Sequence, residues 1–209
     1  MDVGLLFSLL VKLAIVEVPH LHDGSERNNK YLDGIHRMAE IYVEVGKEGA
    51  LYSPEVDPII LSVVGYEESR NRPDSPDGDC YFSGNRERKC NSFGPMQISK
   101  AMPYYLSNLD PDFWEGVTEK SLREPEENVE AAYFLLNHYK DDCKNSGLAQ
   151  LFGNYMGGKC FQGAIAPGKK RCQIAKAMGE SVNIKMPDCP PTAIDVKTRN
   201  LIVSLRTKK

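Results

Sequence analysis

The chain has 209 residues, 41% of them hydrophobic and 26% charged, with a formal net charge of −3. This is the make-up of a globular protein with room for one domain and a proper core. The slight acidic excess argues against a nucleic-acid partner, because phosphate binding usually shows as a basic surplus, and no Walker loop, dinucleotide fingerprint, HExxH motif or internal repeat occurs.

The first element is an apolar run from Gly4 to Val16 that carries Lys12. It is short for a membrane span. It resembles the apolar part of a signal peptide, yet Asp2 precedes it and no Lys or Arg does. Three readings stand: a cleaved signal, an anchor that associates with a membrane through residues 4–16, or an apolar helix packed into the domain. Residues 1–25 are therefore set apart as an N-terminal segment. His20 and His22 alternate in the turn that follows, a pattern read as an ordinary turn and not as a metal site.

From Glu26 to Gly46, Ile35, Met38, Ala39, Tyr42 and Val43 recur at spacings of three and four, which predicts an amphipathic helix stopping at Gly46. The next helix is predicted over Ser53 to Ser69, with Ser53 as N-cap and Pro54 in its first turn. Residues 71–91 are polar, with prolines, glycines and two cysteines, and read as a long loop. A short helix is expected over Met96 to Leu106, interrupted by Pro103. Trp114 and Phe113 fall in a polar connection, where they could stack on a sugar ring or pack as core. Glu126 to Lys140 reads as a helix, with Pro125 at its start and Val129, Ala132, Tyr133, Leu136 and Tyr139 on one side. Leu148 to Met156 is a shorter one, ending at Gly157-Gly158. The tail suggests a helix over Ile174 to Met178 and a further segment over Ala193 to Leu205. No long period-two alternation appears, so the fold class is mainly α, a single domain over residues 26–160 with a cysteine-bearing loop and an extension over 161–209.

The six cysteines, Cys80, Cys90, Cys143, Cys160, Cys172 and Cys189, contain no CxxC pair, which argues against a zinc ribbon. An even count in Gly- and Pro-bearing sequence fits disulfides formed in an oxidising compartment. Six cysteines allow fifteen pairings. Cys80 with Cys90 is the preferred short loop, closing the segment between two motifs described next.

Ile60, Val64 and Glu68 stand at i, i+4 and i+8, one stripe of a helix, and carry Glu68 toward the core at the helix's C-terminal end. Val63 and Glu67 share the same spacing, so geometry leaves both glutamates open. A carboxylate near apolar surface is costly. Partial burial and the negative end of a helix dipole both favour a carboxyl group that holds its proton, which is what a general acid needs. Two solvated glutamates at a helix end remain the plain alternative.

Further motifs follow in order: Glu68-Ser69, then Gly94-Pro95-Met96-Gln97-Ile98, then Ala131-Ala132-Tyr133, then Asn154-Tyr155 ahead of Gly157-Gly158. This succession resembles the catalytic domain of soluble-type lytic transglycosylases, which share a lysozyme-like fold with goose-type lysozymes. The resemblance runs from Pro54 to Gly158, about half the chain. The Glu-Ser pair combined with a Gly-x-Met-Gln-Ile segment is specific, although each piece alone is weak. Two departures stand out. Pro95 replaces the usual leucine, and Phe152-Gly153-Asn154-Tyr155 stands where Ala-Tyr-Asn is usual, with its tyrosine displaced.

The resemblance implies Glu68 as the single catalytic acid and base, with Ser69 supporting the glycan or the acid. It implies Met96 and Gln97 lining a cleft, and Tyr133, Asn154 and Tyr155 contacting substrate. The implied activity is cleavage of peptidoglycan between N-acetylmuramic acid and N-acetylglucosamine, giving 1,6-anhydro products without metal or cofactor. Peptidoglycan glycan strands are the implied partner, with virion or secretion-system components as further partners and a periplasmic, secreted or virion-associated location. Two rivals are kept. A goose-type hydrolytic lysozyme would take its water-positioning carboxylate from Asp74, Asp77 or Asp79. A non-catalytic glycan-binding or structural protein would need no intact acid.

Overall fold

The computed structural model describes residues 1–18, 21, 23–84, 88–102, 111–143, 147–160 and 162–207, without the side chains of 112 and 113. The chain is mainly helical, as the periodicity predicts. Helices α1 (Val3–Glu17), α2 (Glu26–Gly46) and α3 (Asp57–Ser69) are followed by two short antiparallel hairpins. These are β1 (Tyr81–Phe82) with β2 (Arg88–Lys89), and β3 (Ser92–Phe93) with β4 (Ile98–Ser99). A short helix α4 (Pro111–Trp114) leads to α5 (Pro125–Asp142), α6 (Leu148–Gly157), α7 (Ala166–Ser181) and α8 (Val196–Arg206).

Helix α1 starts where the Asp2 carboxylate accepts the Leu5 amide at 3.1 Å. Its Leu6, Leu9, Leu10, Leu13 and Ala14, spaced at three and four, are buried, and the helix packs against α2 and α8. One face of this segment is therefore spent on the core, while Leu5 is exposed. Among the described residues no helix is long and apolar enough to cross a membrane.

Helix α3 is the central element. Every residue from Asp57 to Tyr66 is buried, and α2 and α7 pack on it. A helix apolar on all sides belongs inside a protein. Burying Ile59, Ile60, Leu61, Val63 and Val64 stabilises the fold by roughly 1.5–3 kcal/mol each. The helix begins at Asp57, one turn later than the Ser53 start read from sequence. Asp57 is the reason: its carboxylate accepts the amides of Leu51 and Tyr52 at 2.9 Å and of Ser53 at 3.3 Å. Those bonds hold residues 51–53 in a turn ahead of the helix, and Pro58 takes the first-turn place expected of Pro54. Gly65 lets α2 close in. A Cβ there would meet the Tyr42 hydroxyl at 1.9 Å and Asn71 Oδ1 at 2.7 Å.

The short helix expected over Met96 to Leu106 is corrected at its start, while Met102 is helical. Residues 98 and 99 are a strand paired with Ser92–Phe93, because the four-residue loop Gly94–Gln97 turns the chain back on itself. Pro103 and Leu106 lie outside the described residues, as do His20 and His22. The tail is more helical than its composition suggests: α7 is longer than Ile174 to Met178, and α7 packs on α3, α6 and α8. One hydrophobic cluster joins α1, α3 and these C-terminal helices.

Three disulfides form: Cys80–Cys90, Cys143–Cys160 and Cys172–Cys189. The first is the pairing preferred from sequence. Together they are compatible with an oxidising environment.

Candidate functional site

The site is built at the C-terminal end of α3. Arg70 and Asn71 both take the left-handed conformation, with φ of 61° and 56°. This ends the helix sharply and leaves the carboxylates of Glu67 and Glu68 on its last turn. Asn71 is buried, and its Oδ1 accepts the Tyr42 hydroxyl at 2.8 Å, which fixes the turn to α2.

Glu68 is partly buried, its side chain 23% exposed. Arg171 Nη2 donates to its Oε1 at 2.7 Å. Arg171 projects from α7 and its side chain is only 5% exposed, so this ion pair lies largely out of water. Arg171 Nε and Nη1 are buried with no hydrogen-bond partner among the described residues. The guanidinium compensates a carboxylate charge that burial and the helix end both disfavour. Nothing among the described residues bonds Glu68 Oε2. Glu67 faces a different cation, Lys170 Nζ at 3.7 Å. Helix α7 comes close enough for this pairing because Gly168 lies against α6. A Cβ at Gly168 would stand 2.2 Å from the Ala149 carbonyl.

The Gly94-Pro95-Met96-Gln97 loop is held from several directions. Asn128, fully buried on α5, accepts the Met96 amide at 2.7 Å. The same side chain donates to the carbonyls of Phe93 at 2.9 Å and Leu122 at 2.8 Å. Met96 is fully buried, with its sulfur 3.9 Å from the Tyr42 hydroxyl. Gln97 sits at a φ of 51°, unusual for a residue with a side chain. Its Nε2 donates to the carbonyls of Gly94 at 2.8 Å and Pro76 at 3.2 Å, and its Oε1 accepts the Ser92 hydroxyl at 3.0 Å. Strained backbone fixed by several bonds tends to mark functional sites.

The Tyr155 hydroxyl, on α6, donates to the Met96 carbonyl at 2.9 Å. Burial first, then the negative charge of Glu68, pushes this phenol well above its usual range. Burial also pushes Tyr139 up to about 12. The structure thus brings together Glu68, Met96, Tyr155 and Arg171 from four separate stretches of chain.

The other sequence candidates fall elsewhere. The Ser69 hydroxyl donates to the Gly65 carbonyl of its own helix at 3.0 Å and is buried. Asn154 is fully buried in α6, one residue before Tyr155. Tyr133 is not at the site. Its hydroxyl donates to Asp57 Oδ2 at 2.6 Å, at the opposite end of α3. Glu68 lies 68 − 57 = 11 residues further along, roughly 16 Å at about 1.5 Å per residue. There Tyr133 borders a groove of about 450 Å³ shared with Glu44, Lys47, Glu130 and Phe134. Trp114 is buried and meets Phe134 edge to face at 5.5 Å, so it is core. Asp77 is engaged by Arg123, whose Nη2 donates to Oδ2 at 2.8 Å.

Sequence reading missed Arg171 and Asn128, though both carry a signal. Gly168, Arg171, Cys172, Ala175 and Met178 follow the three-and-four spacing of a buried stripe, and all are buried. A guanidinium on such a stripe requires an anion. Asn128 likewise stands between Pro125 and Ala132 on the buried side of α5.

No protein-family model, curated protein or solved structure matches this chain. The geometry defines a mainly helical, disulfide-bonded domain. Its candidate site is a half-buried carboxylate at the end of a central helix, beside a strained loop and a buried tyrosine.

Proposed function

We propose that this protein is a peptidoglycan lytic transglycosylase with a lysozyme-like fold, using Glu68 as its acid and base. The observation that carries the reading is a meeting of motifs. Glu68, the Gly-Pro-Met-Gln-Ile loop and Tyr155 are far apart in sequence, in the order that resembles the transglycosylases, and they converge on one site.

In this reading Arg171 holds Oε1, and Oε2 is the oxygen presented to the sugar. Protonated Glu68 gives its proton to the glycosidic oxygen between N-acetylmuramic acid and N-acetylglucosamine as the bond from C1 to that oxygen breaks. The muramoyl 6-hydroxyl oxygen then bonds to C1, and its proton passes to the Glu68 carboxylate. The acid is restored, no water is consumed, and the product is a 1,6-anhydro sugar. One carboxyl serves both steps, whereas most glycosidases use two. Such acid–base catalysis contributes typically about 10²–10⁴-fold. Tyr155 and Asn128 position the loop. The buried Tyr155 stays a phenol and keeps its bond to Met96.

Among the described residues, the carboxylate needed for a hydrolytic mechanism would come from Asp74 or Asp79, since Asp77 is tied to Arg123. A second reading, a non-catalytic wall-binding domain, is favoured by one observation: Glu68 is already committed to the buried Arg171. The three disulfides fit a periplasmic, secreted or virion-associated setting for either reading.

The test is mass spectrometry of soluble fragments released from purified peptidoglycan. Anhydro-muramoyl ends are expected. Reducing ends would replace the transglycosylase with a lysozyme, and no release would leave the wall-binding reading.

A further inference from the structure

Between α3 and the Met96 loop, the chain sends out an arm. Tyr81–Phe82 pairs with Arg88–Lys89, and the Cys80–Cys90 disulfide staples the base of this hairpin. The arm is rooted in the candidate site. Gly78 bridges to Ser92, with the Gly78 amide donating to the Ser92 carbonyl at 2.9 Å. Gln97 bonds the Pro76 carbonyl just before it, and Gly78 packs so closely on Gln97 that a Cβ would meet its Oε1 at 1.9 Å. The same loop carries the Met96 carbonyl that Tyr155 binds beside Glu68.

What the arm displays is unusual for a surface. Phe82 is 75% exposed and Tyr81 47%. In the antiparallel register Phe82 stands opposite Arg88, and Tyr81 opposite Lys89. Directly paired residues share a face, so each face offers one aromatic ring and one cation. The described strand Arg88–Lys89 brings two cations to the arm, in a chain whose net charge is −3. Neither aromatic serves the core.

We propose that this hairpin is a substrate-holding arm, in which Phe82, the more exposed ring, stacks on a sugar ring of a peptidoglycan strand and Arg88, on the same face, meets a carboxylate of its stem peptides. The choice of ligand rests on the reading of the chain as a wall-cleaving enzyme. It is argued from charge complementarity, since peptidoglycan carries carboxylates beside apolar sugar faces, and from the arm's attachment to the Gln97 loop. The disulfide keeps the short hairpin formed, because an isolated two-stranded hairpin is marginal in water.

The experiment pelletises insoluble peptidoglycan with wild type, Phe82→Ala and Arg88→Gln, and reads bound protein and released sugar from the same tubes. Both residues are exposed, so the variants are expected to melt like wild type. Wild type should pellet. Phe82→Ala should bind about tenfold less tightly, the scale of one lost aromatic stacking partner. Arg88→Gln should lose the salt-sensitive part of binding. Binding without released sugar would sink the transglycosylase reading and leave the arm standing. Equal pelleting by all three proteins, or none by wild type, would overturn the arm. So would variants that keep wall binding but lose flotation with vesicles of phosphatidylcholine and phosphatidylglycerol, which would make the arm a membrane contact.

Discussion

Arg171 on α7 reaches across to α3 and donates Nη2–H to Glu68 Oε1 at 2.7 Å, with its own side chain almost fully buried. Neither partner can be removed without consequence for the other. Breaking a buried pair by deleting one charge typically costs about 3–5 kcal/mol. Glu68 retains some contact with water, so Arg171→Met is expected to lose about 2–3 kcal/mol. Arg171→Lys should recover part of it, since an ammonium restores the charge but not the fork of donors. Urea unfolding checks both, and a cost below about 0.5 kcal/mol for Arg171→Met would show the pair to be marginal.

Asn128 is the keystone of the Met96 loop. One side chain satisfies the Met96 amide and the Phe93 and Leu122 carbonyls. Asn128→Ala strands three buried backbone groups, each worth about 1–3 kcal/mol when left unpaired. A loss of about 3 kcal/mol or more in thermal or urea unfolding is expected. The loop should also become open to proteolysis near Met96. A variant as stable as wild type would mean that another group takes over these bonds.

Glu17 at the end of α1 gathers three elements. It accepts the Tyr66 hydroxyl at 2.8 Å and pairs with Lys197 at 2.7 Å and Arg70 at 3.6 Å. Burial alone would raise its carboxyl. The Lys197 and Tyr66 hydrogen bonds and the charges of Arg70 and Lys197 outweigh it and hold the group below the ordinary value of 4.5. A depressed carboxyl contributes stability above its unfolded value and loses it as pH falls through the folded one. The advantage of wild type over Glu17→Gln should therefore be full at pH 6 to 7 and fade below about pH 4.5. Melting temperatures across that range provide the measurement, and a constant difference down to pH 2 would contradict the assignment.

Gly168 allows α7 to lie on α6 one turn before Arg171, with the Ala149 carbonyl where a Cβ would go. Gly168→Ala gains helix propensity of about 1 kcal/mol in an exposed helix. Here the close backbone should dominate, with a net loss of about 1–3 kcal/mol. A stabilised Gly168→Ala in urea unfolding would show that the two helices can separate freely.

How much of this was legible in the sequence depends on what each residue answers to. Helices α2, α3, α5 and α6 follow from local periodicity, which their own residues carry. The strand at Ile98 was hidden because a two-residue pairing leaves too short a pattern, and Gly94 and Gln97 turn the chain by backbone conformation. Glu68 was visible as a carboxylate on an apolar stripe. Its partner was not, since Arg171 lies 103 residues away and only the tertiary packing of α7 on α3 joins them. Tyr133 has a partner that its motif does not foretell. Its place in a motif suggested substrate contact, whereas the fold spends its hydroxyl on Asp57 at the other end of α3.

The central claim, that Glu68 carries the chemistry, is met most directly by assaying sugar release from purified peptidoglycan with wild type, Glu68→Gln and Glu67→Gln, all confirmed folded by circular dichroism. A glutamine keeps an oxygen to accept from Arg171 but leaves that buried guanidinium without its counter-charge, so Glu68→Gln should still fold, with a loss of about 2–3 kcal/mol. The account predicts at least about a 10²-fold loss of release for Glu68→Gln and a mild effect for Glu67→Gln. Full activity in a folded Glu68→Gln would contradict it.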